Sequence, residues 1–183
     1  MQTLEGISLA PATSADVALL SNLLELYVHD LSGVFPNVKL GADGRFGYPK
    51  LPLYLTEDER RFAFLIRCNT DVAGFALVTR GSPVSDDPDT FDVAEFFILR
   101  KHRRSGVGRQ AAFLLWNRFA GKWTVRALRR NAAAVDFWRR SVADFTHGAG
   151  VECELPSELN AWRVFAFESI PGQESCVITA HPS

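Results

Sequence analysis

No stretch of this sequence approaches the roughly 18 consecutive apolar residues that a membrane-spanning helix requires. The N-terminus has no cationic segment leading into an apolar stretch and a cleavage site, so no secretion signal is read there. Cysteine is scarce. Cys68, Cys153 and Cys176 are odd in number and lack the close spacing of metal ligands, which argues against a disulfide framework and predicts reduced thiols in a cytoplasmic protein. The four histidines are scattered, so no metal site is expected. Internal repeats and low-complexity segments are absent as well.

What remains is an ordinary globular composition. The chain has 183 residues, 47% hydrophobic and 22% charged, enough for one sizeable core and too few for two comfortable domains. We expect a single domain over residues 1–170 and a tail over 171–183. A net charge of −1 conceals a segregation. Residues 100–140 carry twelve Lys and Arg against the single acid Asp136, a balance of +11, and the rest of the chain carries −12. Such a basic third predicts an anionic ligand, either nucleic acid or a polyphosphate cofactor.

Strand and helix signals alternate along the chain. "ISLAPA" (7–12) reads as an opening strand. The following segment starts with a capping box, Thr13 with Asp16, and repeats Val17, Leu20, Leu24, Tyr27, Val28 and Leu31 at helical spacing to residue 31. Residues 32–57 are rich in Gly and Pro, lack periodicity and read as a long surface segment. Strands follow at 61–68 and 72–80, joined by Asn69-Thr70-Asp71 as a hairpin turn, then an acidic loop. "FDVAEFFIL" (91–99) is too apolar to be exposed on either face. Further on come a helix at 107–119, a strand at 123–128, a helix at 131–142 capped by Asn131, and a last strand at 162–169. This order predicts an α/β (α+β) domain, helices flanking a mixed sheet.

The stretch "RKHRRSGVGRQ" (100–110) joins a buried strand to a helix through two glycines and five cations. Amides at a helix start lack internal partners and sit at the positive end of the helix dipole. Glycines let a phosphate approach them, and arginines neutralise its charge. Two common nucleotide loops are excluded. A Walker A loop needs Gly-Lys followed by Ser or Thr. A dinucleotide fingerprint needs a third glycine and a later acid, where Gln110, Ala111 and Arg126 stand instead.

Arg103-Arg104-Ser105-Gly106-Val107-Gly108 resembles the Arg/Gln-x-x-Gly-x-Gly/Ala signature of the GNAT superfamily of acyl-CoA N-acyltransferases. Asn131, Ala134 and Phe137 match a second family pattern, Asn-x-x-Ala-x-x-Phe-Tyr, and the element order from residue 7 to about 169 is similar too. The resemblance implies a mixed, mostly antiparallel central sheet and acetyl-CoA as co-substrate without a metal. It implies that the backbone of Ile98, Leu99 and Arg100 pairs with the pantetheine arm. Amides from Arg103 through Ser105, Gly106, Val107 and Gly108 to Arg109 would hold the pyrophosphate. Asn131 would bond the cofactor or serve as a plain helix cap, and Arg104 and Arg109 would be phosphate clamps or solvated side chains. The expected partners are acetyl-CoA and an amine acceptor, in a monomer or homodimer, with neither nucleic acid nor membrane.

Acetyl transfer needs a neutral amine, so a group must take its proton. Glu95, in an otherwise apolar strand, is the first candidate for that base, since burial raises a carboxyl pKa. Asp92 is the rival, and strict alternation puts it on the opposite face unless a bulge intervenes. The family pattern places a tyrosine acid after the helix phenylalanine, but Trp138 stands there and cannot donate an acidic proton. Trp138 is left to pack against the pantetheine arm or the core. Ser141, water, Tyr27 or Tyr48 could replace the acid. The end of the first helix and the long segment after it would line the acceptor site, with Tyr27, Asp30 and Tyr48 as the candidate acceptor-binding residues. A non-catalytic acyl-CoA sensor is the alternative to an acetyltransferase acting on a small amine.

Overall fold

The structure is a computed structural model that describes residues 6–56, 59–156 and 161–170. The tail expected from Pro171, with Cys176, lies outside those residues. The elements run Ile7–Pro11 (β1), Val17–Ser32 (α1), Arg61–Cys68 (β2), Asp71–Arg80 (β3), Phe91–Ile98 (β4), Val107–Arg118 (α2), Gly121–Leu128 (β5), Ala132–Thr146 (α3), Val151–Leu155 (β6) and Trp162–Ser169 (β7). Short 3-10 turns at Ser14–Asp16, Leu51–Tyr54 and Arg100–His102 link them. Seven strands form one sheet in the order β1-β2-β3-β4-β5-β7-β6. All neighbours are antiparallel except β4 and β5, which is the mixed, mostly antiparallel sheet expected.

Apolar side chains cover both faces of the sheet. On one, α2 and α3 bring Ala111, Ala112, Leu115, Trp116, Val135 and Trp138 against Phe64, Val78 and Val125. On the other, Leu20, Leu23 and Leu24 of α1 join Leu51 and Tyr54 over Phe75, Leu77 and Phe97. The helical stripe of α1 is therefore close to the one expected. Val17, however, at the first residue of α1, is 44% exposed while Leu23 is buried, which centres the stripe on Leu20, Leu23 and Leu24. The predicted capping box forms, and the Asp16 carboxylate accepts from the Thr13 amide at 2.9 Å.

Strand β6 has no counterpart in the sequence reading. Its residues Val-Glu-Cys-Glu-Leu alternate apolar with acidic side chains, but all five are exposed, so the alternation marks no buried face. Its side chains are held by ion pairs, Glu152 with Arg139 and Glu154 with Arg129 and Arg163.

The feature that positions the site lies in β4. Val93 pairs with Val78 and Glu95 with Leu77, so Ala94 is an extra residue, a bulge. The parallel ladder of β4 with β5 has only three rungs, Phe91 with Trp123, Asp92 with Thr124 and Val93 with Val125. It stops where the bulge begins. Beyond it β4 bonds to β3 alone and a cleft opens between β4 and β5.

Candidate functional site

The cleft has a volume of about 430 Å³. Its walls come from β4 past the bulge, the end of β5, the first turns of α3, the C-terminal half of α1 and the segment after it. Glu95 projects into it, half-buried, with each carboxylate oxygen held by a phenol. Tyr27 Oη donates to Oε2 at 2.5 Å and Tyr48 Oη to Oε1 at 2.8 Å. Burial pushes the Glu95 carboxyl above its ordinary value despite the two phenol donors, which pull it down. Burial and the adjacent carboxylate raise the pKa of Tyr27 and Tyr48 well above that of a free phenol, and Tyr54 beside them is pushed up to about 12. All three phenols remain neutral donors at physiological pH.

The bulge also settles the relation between Glu95 and Asp92. Asp92 pairs with Thr79 and Glu95 with Leu77, two positions apart on β3, so both carboxylates point to one face, against strict alternation. They nevertheless differ in role. Asp92 is fully buried, accepts from Thr124 Oγ1 at 2.8 Å and is gripped side-on by Arg126 Nε and Nη2 at 3.1 and 2.8 Å. It does not line the cleft. Asp92, the alternative base, is thus turned to its own guanidinium and away from the cleft, whereas Glu95 lines it. The part of Asp92 is to hold Arg126, which does line the cleft.

The glycine turn follows at the end of β4. Arg104 and Gly106 both have positive φ, 65° and 89°, and Gly106 begins α2 without a side-chain cap. The first intrahelical bond is from Gln110 to the Gly106 carbonyl, which leaves the preceding amides open to an anion. The twelve cations of residues 100–140 behave differently from expectation. Arg100 and Arg103 pair with Asp30, Lys101 with Asp71, Arg109 with Asp144 and Lys122 with Asp87. Arg126, Arg129 and Arg139 are paired as well. The basic third is thus largely answered by the acidic remainder of the same chain. Arg104, exposed in the turn, has no ion-pair partner among the described residues.

Several assignments shift accordingly. Arg109 is held by Asp144 and lies over the Phe113 ring at 4.5 Å, so it braces α2 against α3. A Cβ on Gly108 would stand 3.3 Å from both Ile98 and Phe137; this glycine serves close packing of α2, while Gly106 supplies the left-handed turn. Ser105 Oγ donates to the His102 carbonyl and Val107 is buried. The Ile98 carbonyl accepts from Arg103 Nε, the Leu99 amide donates to Ala73, and the Arg100 carbonyl accepts from the Arg103 amide. Those groups are engaged, so the edge open to an extended ligand is the stretch Ala94–Phe96, upstream of the expected Ile98–Arg100.

Asn131 caps α3 through Ala134 at 3.2 Å and also lines the cleft. Trp138 is 6% exposed, packs edge-on against Phe96 at 5.1 Å and forms part of the cleft wall. Ser141 is buried and lies outside the cleft lining, which removes it as a replacement acid.

On the opposite wall, Tyr27 and Tyr48 meet at Glu95 as described, but Asp30 does not join them. Burial alone would raise its carboxyl, yet hydrogen bonds from Arg103 and Arg100 hold it below its usual value. It ties α1 to the glycine turn and lies outside the cleft lining, set apart from Tyr27 and Tyr48. Residues that the sequence did not single out line the cleft instead: Phe35, Val38, Lys50, Arg126 and Trp162. Phe35, Val38 and Lys50 lie in the long segment after α1 expected to line the acceptor site, but its lack of periodicity singles out none of the three. A second, shallower hollow of about 500 Å³ lies around Phe91, Phe119 and Gly121. Four of its charges form two ion pairs, Arg80 with Asp89 and Lys122 with Asp87, and Arg118, which lies over the Phe64 ring, and Glu168 also line it.

No group of three or more His, Cys, Asp and Glu that could hold a metal ion occurs among the described residues. No described helix is long and apolar enough to cross a membrane.

No protein-family model matches the sequence, and no curated protein matches it. Solved structures do. An acetyltransferase from Thermus thermophilus superimposes with a TM-score of 0.62 at 20% identity, over 89% of this chain and 98% of that one. A protein from Desulfovibrio desulfuricans assigned to the GNAT family gives 0.62 at 14% identity, over 90% and 100%. A spermidine N-acetyltransferase from Vibrio cholerae, in complex with CoA and spermine, gives 0.63 at 12% identity, over 89% and 95%. The chain has the fold of the GNAT acetyltransferases.

Proposed function

We propose that this protein is an acetyl-CoA-dependent N-acetyltransferase and that Glu95 is the base that prepares the amine. The observation that carries the reading is the position of Glu95, a carboxylate with raised pKa in a cleft opened by a bulge beside an uncapped helix start. The CoA bound by a neighbour of the same fold supports acetyl-CoA as co-substrate. The cleft suits it: the unpaired edge at Ala94–Phe96 can receive an extended amide-bearing arm, and the open amides after Gly106, with Arg104, can receive a pyrophosphate. Trp138 and Asn131 then flank the arm.

Acetyl-CoA supplies an activated acyl group, and this chain supplies position and proton transfer. Tyr27 and Tyr48 fix the carboxylate of Glu95 by one hydrogen bond to each oxygen, leaving further lone pairs for an ammonium or a bridging water. Glu95 takes a proton from the acceptor and makes its nitrogen nucleophilic. Trp138 stands where the family pattern has a tyrosine, so water or one of the neutral phenols serves the leaving thiolate.

The test is Glu95→Gln, which preserves size but cannot accept the proton. We expect kcat to fall by roughly 10² to 10⁴ with acetyl-CoA affinity retained. A folded variant with undiminished turnover removes Glu95 from the chemistry. Acetyl-CoA binding without thiol release from any amine supports the sensor reading instead.

A further inference from the structure

The charge lining the cleft is the reverse of what a polycationic acceptor needs. Among the described residues Glu95 is the sole carboxylate there. Glu25 is turned to the Phe46 and Gly47 amides, Asp30 to Arg100 and Arg103, and Asp92 sits behind Arg126. Two cations line the cleft instead. Lys50, two residues beyond Tyr48, is exposed, and its side chain makes no hydrogen bond or ion pair among the described residues. Arg126 uses Nε and Nη2 on Asp92, and among the described residues Nη1 makes no hydrogen bond. Arg126 is also near enough to Glu95 for each charge to affect the other. Part of the remaining wall is apolar and includes Val38 together with Phe35 and Trp162, whose ring centroids are 6.0 Å apart.

We propose that the acceptor is an amino acid with an apolar or aromatic side chain. Its ammonium is directed to Glu95, its carboxylate to Lys50 and Arg126 Nη1, and its side chain to Phe35, Val38 and Trp162. The inference rests on the N-acetyltransferase reading. An amino acid carries adjacent charges of opposite sign, and the cleft offers Glu95 and Arg126 as neighbouring charges of opposite sign to receive them. A polyamine brings its second ammonium against Lys50 and Arg126, where like charges repel. In the reaction a C–N bond replaces the thioester C–S bond. Of the two protons that leave the ammonium nitrogen, one ends on the CoA thiol and one reaches solvent through Glu95. The products are an N-acetylamino acid and CoA.

The experiment measures CoA thiol release by the full chain with acetyl-CoA and three sets of acceptors: apolar and aromatic amino acids, their matched amides, and spermidine. We expect kcat/KM for the best amino acid to exceed that for its amide by at least tenfold and to exceed that for spermidine by more. Lys50→Ala should reduce the acid-to-amide ratio about tenfold and leave the KM for acetyl-CoA unchanged. Spermidine or an amide as the better acceptor overturns the inference while the enzyme reading stands. So does a rise in the acetyl-CoA KM without a change in the ratio, which would assign Lys50 to the cofactor. If calorimetry shows acetyl-CoA binding and no amine is acetylated, the enzyme reading itself falls and this inference falls with it.

Discussion

Tyr48 and Glu95, 47 positions apart in the chain, are joined by a 2.8 Å hydrogen bond from the phenol to Oε1. That bond holds the Glu95 pKa down against the burial that raises it. Glu95 works as a base when ionised, so activity is lost as pH falls through its folded pKa, which lies above the ordinary carboxyl value of 4.5. Tyr48→Phe removes a donor to the ionised form, so the acid limb of kcat/KM should move to higher pH. A limb that stays in place, read from the pH–rate profile, would separate Tyr48 from the titration of Glu95.

The segment that delivers Tyr48 is itself tied to α1. Glu25 accepts from the Phe46 and Gly47 amides at 2.8 and 2.9 Å, and those bonds lower its pKa. Glu25 is a positioning residue, acting through Tyr48. Glu25→Ala should move the acid limb in the same direction as Tyr48→Phe. The double variant should add little to either change. Glu25→Gln, which keeps an acceptor, should restore part of the wild-type profile. Additive effects in the double variant would mean that Glu25 acts elsewhere.

Asp92→Ala tests the division of labour between the two carboxylates. It leaves Arg126 facing a buried vacancy, and breaking a buried pair costs roughly 3–5 kcal/mol. Arg126 keeps 24% of its side-chain exposure, so about 2–3 kcal/mol is the expectation here. Denaturant unfolding should register that loss, and the acid limb should remain. A variant of wild-type stability without the limb would return Asp92 to the role of base.

Arg104→Glu reverses the one cation of the glycine turn that has no ion-pair partner among the described residues, at an exposed position. Acetyl-CoA affinity should fall about tenfold, or about 1.4 kcal/mol, with the melting temperature unchanged. Calorimetric titration of acetyl-CoA at low and moderate salt checks this. Unchanged affinity at both would mean that the open amides of α2 hold the phosphates without it. Gly108→Asp is a poorer probe of the same point, because its side chain would meet Ile98 and Phe137.

Local chemistry made much of this protein legible in its sequence. Alternation and helical spacing gave nearly every strand and helix, and the pair Gly106 and Gly108 marked a turn opening a helix, because periodicity and φ preference belong to neighbouring residues. Glu95 stood out for the same local reason, as a charge in an apolar strand. Other features depend on contacts between distant residues and leave no such mark. An extra residue at Ala94 reverses the side-chain parity of β4, and no local rule announces a bulge among Val93, Ala94 and Glu95. Strand β6 does alternate apolar with acidic residues, yet none of the five is buried, and ion pairs to α3, the loop before it and β7 hold it in place. The arginines near the glycine turn read as phosphate clamps or as solvated side chains, and the fold brought Asp30 to Arg100 and Arg103 and Asp144 to Arg109. Tyr27 and Tyr48 could be named as acceptor-side residues. Their convergence on one carboxylate came only when α1 and its following segment closed over the splayed end of β4, since a hydrogen bond between residues 47 or 68 positions apart is created by packing alone.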